Sequence, residues 1–507
     1  MRIRFLILSF LFISQLSGQR QADNLINGNC YQVPGLGDCL SPNANIVLNF
    51  NDSGLQEIIE PLDLGLAINY SRAAYSDAEG NLAFASNGWR LVDHQGNVLS
   101  NRLYFDWVPW PADNPDPTMV LNSLGPLFLN DPGNPDRAYL FYGQYMGGNF
   151  GPEVLKADVV FTYAYLEVPN RTLISQNNIV MSDTSASGDM QACRHANGRD
   201  WWLIKPGIYE DEYFVGLLSP TGISEMEKIT IPGIIHRGQF ETLSYFSFDG
   251  LKFLHFTGKR YKYLHEYDFD RCTGTLGNPI VHDLTDSIPW GDGNACTISP
   301  NGSKLYIRRS NGVELDGALL QYDLNNSQWT HISSTHTASP QITPNGKEIL
   351  LQSRILTNDT SYRTLSRILQ PDLSGLLCNL VSHTDTLQNN PSFVYPSNFA
   401  NFRLGPIDGS GCDTLGINSI ESFIKPKPDI SVYPNPVKEV LNIRLLNTIP
   451  KKPNIYIFNS LGALIYQDQF ENVIHVLKLS DLNLSKGLYW MKIMNGNDSF
   501  VKRFVVE

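Results

Sequence analysis

Three stretches of the chain carry the same turn: Phe246-Ser-Phe-Asp-Gly250, Ile298-Ser-Pro-Asn-Gly302 and Ile342-Thr-Pro-Asn-Gly346. Alternating apolar residues follow each turn, as in Lys304-Leu-Tyr-Ile307. Both residues of an Asn-Gly or Asp-Gly pair tolerate positive φ, so this pair followed by alternation is the strongest short signal for a β-hairpin. The pattern therefore predicts a repeated hairpin.

The turn also occurs earlier in the chain, so that its glycines, at positions 80, 198, 250, 302 and 346, are separated by 118, 52, 52 and 44 residues. We expect the long gap to contain one more unit, with its turn at Asn134-Pro-Asp136. Four strands every ~45 to 60 residues are typical of a β-propeller blade. Radial packing buries both faces of each small sheet, and closing the ring shortens the exposed edges.

Six such units, with a weaker one near residues 376–405, predict a seven-bladed β-propeller over residues 45–418. Asn45 to Phe50 could supply a strand that closes the ring with the last blade. Four residues lie four positions beyond their turn glycines, and the two-residue period of a strand should place them on one buried face. These residues are Trp202, Leu254, Tyr306 and Leu350. We expect at least three of the four to be mostly inaccessible to solvent.

The start of the chain resembles an export signal. Arg2 and Arg4 precede an apolar stretch from Phe5 to Ile13, and the small residues Ser17 and Gly18 offer a cleavage site. Residues 1–18 are therefore predicted to be a signal peptide, followed by an N-terminal segment at 19–44. Net charge is −12 without a basic stripe, which argues against nucleic acid as a partner.

Seven cysteines lie between the signal and the C-terminal region, and export permits disulfides. Proximity in sequence suggests the pairs Cys30–Cys39, Cys272–Cys296 and Cys378–Cys412, with Cys193 unpaired, although spacing alone leaves the connectivity open. Metal binding is the weaker alternative because no Cys-x-x-Cys pair or zinc-like Cys/His spacing occurs.

The composition changes near residue 418. Residues 419–429 contain two prolines and form a predicted linker. Seven short alternating segments bounded by turn residues follow within 430–507, which predicts a small Ig-like β-sandwich.

This C-terminal segment resembles the sorting domain of the type IX secretion system. Four stretches carry the resemblance: Val432–Pro436, Ile457–Gly462, Leu482–Met491 and Lys502–Val506. Its motif residues are Tyr433, Pro434, Asn435, Pro436, Gly487 and Tyr489. The resemblance implies a Gram-negative bacterial protein that the type IX machinery moves across the outer membrane. The sorting domain would then be removed, and the protein would be attached to surface polysaccharide or released.

The middle region resembles the WD-like propeller blades of exported bacterial proteins. The strings Ser76–Leu82, His195–Trp202, Phe269–Gly274 and Asn401–Gly405 are also similar to proteins that join such a propeller to the same sorting domain. This family implies no particular activity for the chain.

Motifs for catalysis are missing from the sequence. It contains no Gly-x-Ser-x-Gly, His-Glu-x-x-His, phosphate-binding glycine loop or dinucleotide-binding glycine motif. We therefore predict no catalytic, cofactor-binding or metal-binding residue and no cofactor.

Two groups of residues carry weaker chemical signals. His195, Arg199 and Asp200 beside Trp201 and Trp202 could be catalytic, but a structural ion pair and core tryptophans are the simpler interpretation. The second group holds scattered histidines and nearby aspartates, which are interpreted as structural rather than as metal ligands: His236, His255, His265, His282, Asp268, Asp270 and Asp283.

The sequence as a whole predicts a secreted or cell-surface β-propeller that binds a glycan or protein ligand or acts as a scaffold. The alternative is an extracellular hydrolase or lyase acting on polysaccharide or peptide at the mouth of the propeller, because residues from different blades can form a site that no linear motif reveals.

Overall fold

A computed structural model describes the following residues of the chain: 20–28, 45–66, 72–103, 125–145, 159–183, 190–207, 212–231, 243–257, 262–285, 296–310, 317–334, 340–356, 361–387, 398–413, 430–433, 435, 437–445, 454–459, 463–469, 474–482, 484–495 and 498–506. Two compact units are present, Met1–Leu415 and Gly416–Glu507. Nearly all described secondary structure is β. Within these ranges, no helix is long and apolar enough to cross a membrane.

The first unit contains seven antiparallel sheets, numbered here in chain order. Sheet 1 has β1 (Asn24–Gly28), β2 (Asn45–Asn51) and β3 (Gly54–Leu62). Sheet 2 has β4 (Ala73–Ser76), β5 (Leu82–Ser86), β6 (Leu91–Asp93) and β7 (Val98–Ser100). Sheet 3 has β8 (Leu127–Asp131), β9 (Asn134–Tyr145), β10 (Val159–Glu167) and β11 (Thr172–Asp183). Sheet 4 has β12 (Gln191–Arg194), β13 (Trp201–Pro206), β14 (Glu212–Ser219), β15 (Gly222–Ile223) and β16 (Glu227–Thr230).

The last three sheets of this unit have four strands each. Sheet 5 has β17 (Leu243–Phe246), β18 (Lys252–Phe256), β19 (Tyr263–Asp270) and β20 (Thr275–Asp283). Sheet 6 has β21 (Cys296–Ile298), β22 (Lys304–Ser310), β23 (Gly317–Asp323) and β24 (Gln328–Ser333). Sheet 7 has β25 (Gln341–Ile342), β26 (Ile349–Leu356), β27 (Ser361–Ile368) and β28 (Leu380–Leu387), with a short 3-10 helix (Gly375–Cys378) before β28.

Each of sheets 2 to 7 is an antiparallel meander in chain order. The turn after its first strand and the turn after its third strand therefore lie at the same end of the sheet, which we call the turn end. First strands of successive sheets lie side by side, with β1 beside β4, β4 beside β8, β12 beside β17, β17 beside β21 and β21 beside β25. The turn ends of sheets 5 and 6 lie side by side, since the backbone N–H of Phe248 donates to the carbonyl of Pro300 at 2.7 Å.

The repeated turns are equivalent in register, as the sequence predicts. In sheet 5, the backbone N–H of Ser247 donates to the carbonyl of Lys252 at 3.0 Å, and the corresponding bond in sheet 6 joins Ser299 to Lys304 at 2.8 Å. The turn glycines take φ values of +74° at 198, +72° at 250, +69° at 302 and +66° at 346. Only glycine adopts this left-handed conformation without strain, which explains its recurrence.

The residues four positions beyond these glycines also occupy one structural position. Each pairs with the residue of the first strand that lies five positions before the turn glycine of its own sheet. Leu254, Tyr306 and Leu350 are at most 1% exposed, whereas Trp202 is half-buried. The prediction that at least three of the four are buried is confirmed.

Successive sheets pack face to face through shared apolar clusters. Leu254 of sheet 5 shares a cluster with Ile298 of sheet 6, and Tyr306 of sheet 6 shares one with Ile349 of sheet 7. Other clusters join sheets 1 and 2, sheets 2 to 4, and sheets 4 and 5. Sheet 7 packs against sheet 1, since Leu350 belongs to the same cluster as Leu48.

Three details of the predicted repeat need correction. The described residues of the range 376–405 form no sheet of their own, because β28 is the fourth strand of sheet 7 and residues 398–405 contain no strand. Sheet 1 is instead the additional sheet, and Asn45 to Phe50 lies in it beside β1 and β3 rather than in the last sheet. The turn of sheet 3 precedes Asn134, because Asp131 pairs with Asn134 across it.

Sheet 1 begins earlier than the predicted region 45–418. Strand β1 comes from the segment 19–44 and pairs with β2 along its whole length. The predicted signal peptide at 1–18 and the linker at 419–429 lie outside the described residues.

The second unit contains two antiparallel sheets that share one apolar core. One sheet has β29 (Ile430–Tyr433), β30 (Val440–Leu445) and β33 (Ile474–Lys478). The other has β32 (Leu464–Gln469), β31 (Asn454–Asn459), β34 (Gly487–Asn495) and β35 (Asp498–Val506), in that spatial order. A one-turn α-helix (Leu479–Leu482) follows β33. The seven predicted strand segments correspond to these seven strands.

Candidate functional site

Residues 398–413, which we call the axial segment, make long-range contacts with several sheets of the first unit. At its start, the backbone N–H of Asn398 donates to the carbonyl of Arg72 at 3.1 Å. The Asn398 amide donates to the carbonyl of Met190 at 3.1 Å and accepts from the Gln191 side chain at 2.7 Å. Because Arg72 directly precedes β4 and Met190 directly precedes β12, Asn398 connects the first strands of sheets 2 and 4.

Phe402 anchors the middle of the axial segment. Its ring is 3% exposed and lies edge-to-face against Trp201 of sheet 4 at 5.0 Å and Tyr75 of sheet 2 at 6.0 Å between centroids. The Arg194 guanidinium stacks over the Trp201 ring at 3.8 Å and donates to the Asn130 side chain of sheet 3 at 3.1 Å. Burial lowers the pKa of Arg194 to about 9. This aromatic and cationic cluster ties three sheets to the axial segment.

Arg403 continues the segment with ion pairs to sheet 1. It pairs with the fully buried Asp23 at 2.5 Å and with the exposed Asp52 at 3.0 Å, and it donates to the carbonyl of Pro344 in sheet 7 at 3.2 Å. Burial raises the pKa of Asp23, and the charges of Arg403 and Arg20 oppose that rise. Losing Arg403 would leave a buried carboxylate with less compensation, which makes the Asp23 pair more important than the exposed one.

The segment then reaches the turn ends of sheets 4 and 5. Ile407 donates its backbone N–H to the carbonyl of Ala196 at 2.9 Å. A disulfide joins Cys412 to Cys272, in the turn between β19 and β20, with 5.5 Å between the Cα atoms. The far end of the axial segment is therefore covalently fixed to sheet 5.

Two turn glycines lie directly against this segment. A Cβ atom at Gly198 would come within 2.7 Å of Pro406, and one at Gly250 would come within 2.7 Å of Leu404. These glycines are thus needed for close approach as well as for positive φ.

A small cavity lies beside the axial segment. It measures about 60 Å³, lies between β12, β17, β25 and the axial segment, and its lining includes Cys193, Tyr245, Gln341 and Phe399. Ligand pockets usually measure roughly 300 Å³ or more. This cavity is therefore too small to be a ligand pocket of ordinary size.

The disulfide corrects two predicted pairings. Cys272 is bonded to Cys412, so neither Cys272–Cys296 nor Cys378–Cys412 forms. The chain returns across the turn ends after its last sheet and brings Cys412 to a cysteine 140 residues away, which neighbouring positions in sequence cannot reveal. The predicted pair of Cys30 and Cys39 lies outside the described residues.

Cys193 is a free thiol, as expected from the sequence. It is buried, and burial raises its pKa to about 12. Because the thiolate is the reactive form, this environment does not favour a nucleophilic role for Cys193.

The cluster around His195 builds a turn. Arg199 pairs with Asp200 at 2.7 Å, and the side-chain oxygen of Asn197 accepts the backbone N–H groups of both residues. The His195 ring makes a hydrogen bond with the carbonyl of Cys272 at 3.1 Å. These polar contacts are made within the protein itself, so they support a structural rather than a catalytic role for His195, Arg199 and Asp200.

The predicted histidine and aspartate candidates do not converge. In the described ranges, no group of three His, Cys, Asp or Glu side chains is arranged to hold a metal ion. Asp270 accepts the backbone N–H of Cys272 at 2.8 Å, and Asp283 accepts that of Thr285 at 3.0 Å. Hydrogen bonds of this kind lower the pKa of both carboxyls. His236 lies outside the described residues.

Other members of that group make structural contacts within or between sheets. Asp268 accepts from the Asn278 amide at 2.7 Å. The buried rings of His255 and His265 lie 6.1 Å apart on adjacent strands. Both side chains are buried.

Glu266 centres a buried charge cluster between sheets 5 and 6. Its carboxylate pairs with Lys252 at 2.5 Å and with His282 at 3.0 Å. The other His282 nitrogen lies 3.3 Å from the Tyr322 hydroxyl of sheet 6. Burial acts to raise the pKa of Glu266, but hydrogen bonds from His282 and Lys252 outweigh it, so the net shift is downward.

The described motif residues of the second unit have structural roles. The Asn435 side chain accepts the backbone N–H of Val505 at 2.9 Å. Tyr489, two residues after the start of β34 at Gly487, is buried, stacks on Phe504 at 5.6 Å and donates to the carbonyl of Ser485 at 2.8 Å. Tyr433 lies in β29, while Pro434 and Pro436 are outside the described residues.

Comparisons with solved structures give distant similarities of fold. A periplasmic gluconolactonase of Pseudomonas aeruginosa is 16% identical, with 74% of this chain and 97% of that chain covered and a TM-score of 0.38. TolB of Acinetobacter baumannii is 13% identical, with 68% and 77% covered and a TM-score of 0.29. Both are β-propeller-like proteins. No curated protein sequence compared with the chain matches it.

The second unit has a specific match. Residues 431–507 match the family described as the secretion system C-terminal sorting domain. This match covers the seven strands of the second unit and agrees with the motif residues found in the sequence. Residues 431–507 are therefore a type IX secretion sorting domain, and the chain that carries it is a secreted or outer-surface-attached protein.

Proposed function

We propose that the first unit is a seven-bladed β-propeller that acts outside the cell as a ligand-binding or scaffold module, and that the sorting domain is an Ig-like sandwich. Side-by-side first strands within sheets 1 to 3 and within sheets 4 to 7, the shared core of sheets 2 to 4, and the packing of sheet 7 on sheet 1 support the ring. The observation that carries the functional proposal is the axial segment, which occupies the centre with the protein's own side chains.

Because the axial segment lies at the centre of the proposed ring, partners would bind on the outer surface of the ring. The polar groups of the axial segment are engaged with sheets 1, 2, 4, 5 and 7. Such a unit offers a rigid body on which surface groups are held in fixed positions.

The exposed apolar side chains favour a protein ligand. Around the 3-10 helix at the turn end of sheet 7, Leu376 is 79% exposed, Leu377 is 70% exposed and Leu373 is 44% exposed. Clustered exposed aliphatic side chains are typical of protein-binding surfaces. Glycans stack mainly on aromatic faces, which this cluster lacks.

The test uses protein recovered from the medium or the cell surface and added to washed cells that lack it. We expect saturable binding that disappears after protease treatment of the cells and survives periodate oxidation of their glycans. Leu377→Asp should weaken binding, whereas Val98→Asp, at another exposed apolar position, should not. Loss after periodate alone would indicate a glycan ligand, and cleavage of polysaccharide or peptide by the purified protein would contradict a binding role.

A further inference from the structure

The sorting domain has an apolar surface on the solvent side of its four-stranded sheet. Along β31, β34 and β35, the residues that alternate inward form the core, among them Ile457, Met491 and Phe504. The intervening residues face outward. In a sandwich, outward positions are usually polar, so apolar side chains there call for an explanation.

Large side chains form a row across this outward face. Phe458 pairs with Leu464 of β32 on one side and with Trp490 of β34 on the other. Leu488 pairs with Val505 of β35 beside this row. Leu464 is 50% exposed, Trp490 42%, Leu488 39% and Val505 38%, so water reaches all four. We call these five residues the outer row.

The net charge of residues 430–507 indicates the charge expected on the surface of a binding partner. Residues 430–507 contain nine Lys and Arg against six Asp and Glu, whereas the whole chain has 38 against 50. The sorting domain is therefore basic on an acidic protein. Lys486 is exposed in the turn before β34, next to the outer row, and Lys492 follows Trp490 on the same side of β34.

We propose that the outer row is the surface by which this chain docks on the type IX secretion machinery. The partner surface would be a folded protein with an apolar centre and an acidic rim. The apolar row would supply the contact area, with Trp490 as its central anchor, and the lysines would orient the domain on the acidic rim. This inference rests on the sorting-domain assignment and not on the function proposed for the first unit.

The test is export of the full chain in its native cell, measured as the ratio of protein outside the cell to protein in the periplasm. Trp490→Gln should lower this ratio about tenfold, the effect expected when a central aromatic anchor is lost from an interface. Trp490→Phe should retain most export because the ring remains. Val476→Gln is the matched control, since Val476 is 54% exposed on β33 of the other sheet.

Folding and self-association are checked on the purified precursor of each variant. Leu488→Gln provides a second disruption of the outer row if Trp490→Gln is degraded. Wild-type export of both Gln variants, or an equal loss with Val476→Gln, would overturn the proposal. A change of oligomeric state on size-exclusion chromatography without a change of export would assign the outer row to a second copy of the chain and would also overturn it.

Discussion

Replacing Phe402 with Ala tests whether the axial segment is an integral part of the core of the first unit. Phe402 is 3% exposed and lies against Trp201 and Tyr75, which belong to different sheets. Removing a buried phenylalanine side chain costs ~3–5 kcal/mol, since transfer free energy is lost and a cavity remains. The edge-to-face contacts place the expected loss in the upper part of that range.

The measurement is guanidinium unfolding of the secreted protein, followed by tryptophan fluorescence. Phe402→Ala should lower the midpoint without changing the slope, which reports a change in stability rather than in exposed surface. Leu376→Ala, at a position 79% exposed, should change the free energy of unfolding by no more than about 0.5 kcal/mol. A loss below about 1 kcal/mol for Phe402→Ala would refute the packing described for the axial segment.

Three further predictions follow from other parts of the chain. Tyr306→Ala should lower the free energy of unfolding by about 3–5 kcal/mol, measured by guanidinium unfolding. Tyr306→Phe should lower it clearly less, because the ring stays and only the hydroxyl is removed, with its bonds to Pro371 and Gln321. Equal losses for the two variants would contradict burial of the ring as the main effect. The pKa of Glu266 is lower in the folded protein than its ordinary value of 4.5, so its contribution to stability is present above that pH and lost as the pH falls through the folded-state pKa. Unfolding midpoints of Glu266→Gln should therefore fall less steeply with acid than those of the wild type, and parallel curves would refute the role of this cluster. Deleting Met1 to Gly18 should leave the protein in the cytoplasm on cell fractionation, and unchanged export would rule out the signal peptide.

The repeated hairpins could be predicted from sequence because their cause is local. An Asn-Gly or Asp-Gly turn with alternation needs only a few neighbouring residues, and Gly198, Gly250, Gly302 and Gly346 all occupy equivalent turns. The strands of the sorting domain follow from the same kind of signal. Sheet 1 could not be found in this way, because the 16 residues between β1 and β2 contain no Asn-Gly or Asp-Gly pair in the sequence.

The axial segment was hidden from sequence analysis for a different reason. In the sequence, Asn401–Gly405 is marked only by a resemblance, and the residues around it suggest a weak blade. The contacts of the segment are with residues far away in sequence, such as Asp23 for Arg403 and Cys272 for Cys412. An aspartate just before the first strand and an arginine after the last strand of the first unit give no local signal that they will form a buried ion pair.

We predict that the secreted protein keeps the axial segment, fixed to sheet 5, and loses the sorting domain. Non-reducing peptide mapping by mass spectrometry of protein recovered from outside the cell tests both parts at once. We expect a peptide pair linked through Cys272 and Cys412 and no peptides from the strands beyond residue 430. A Cys272–Cys296 linkage, or a mature protein that retains β34 and β35, would contradict it.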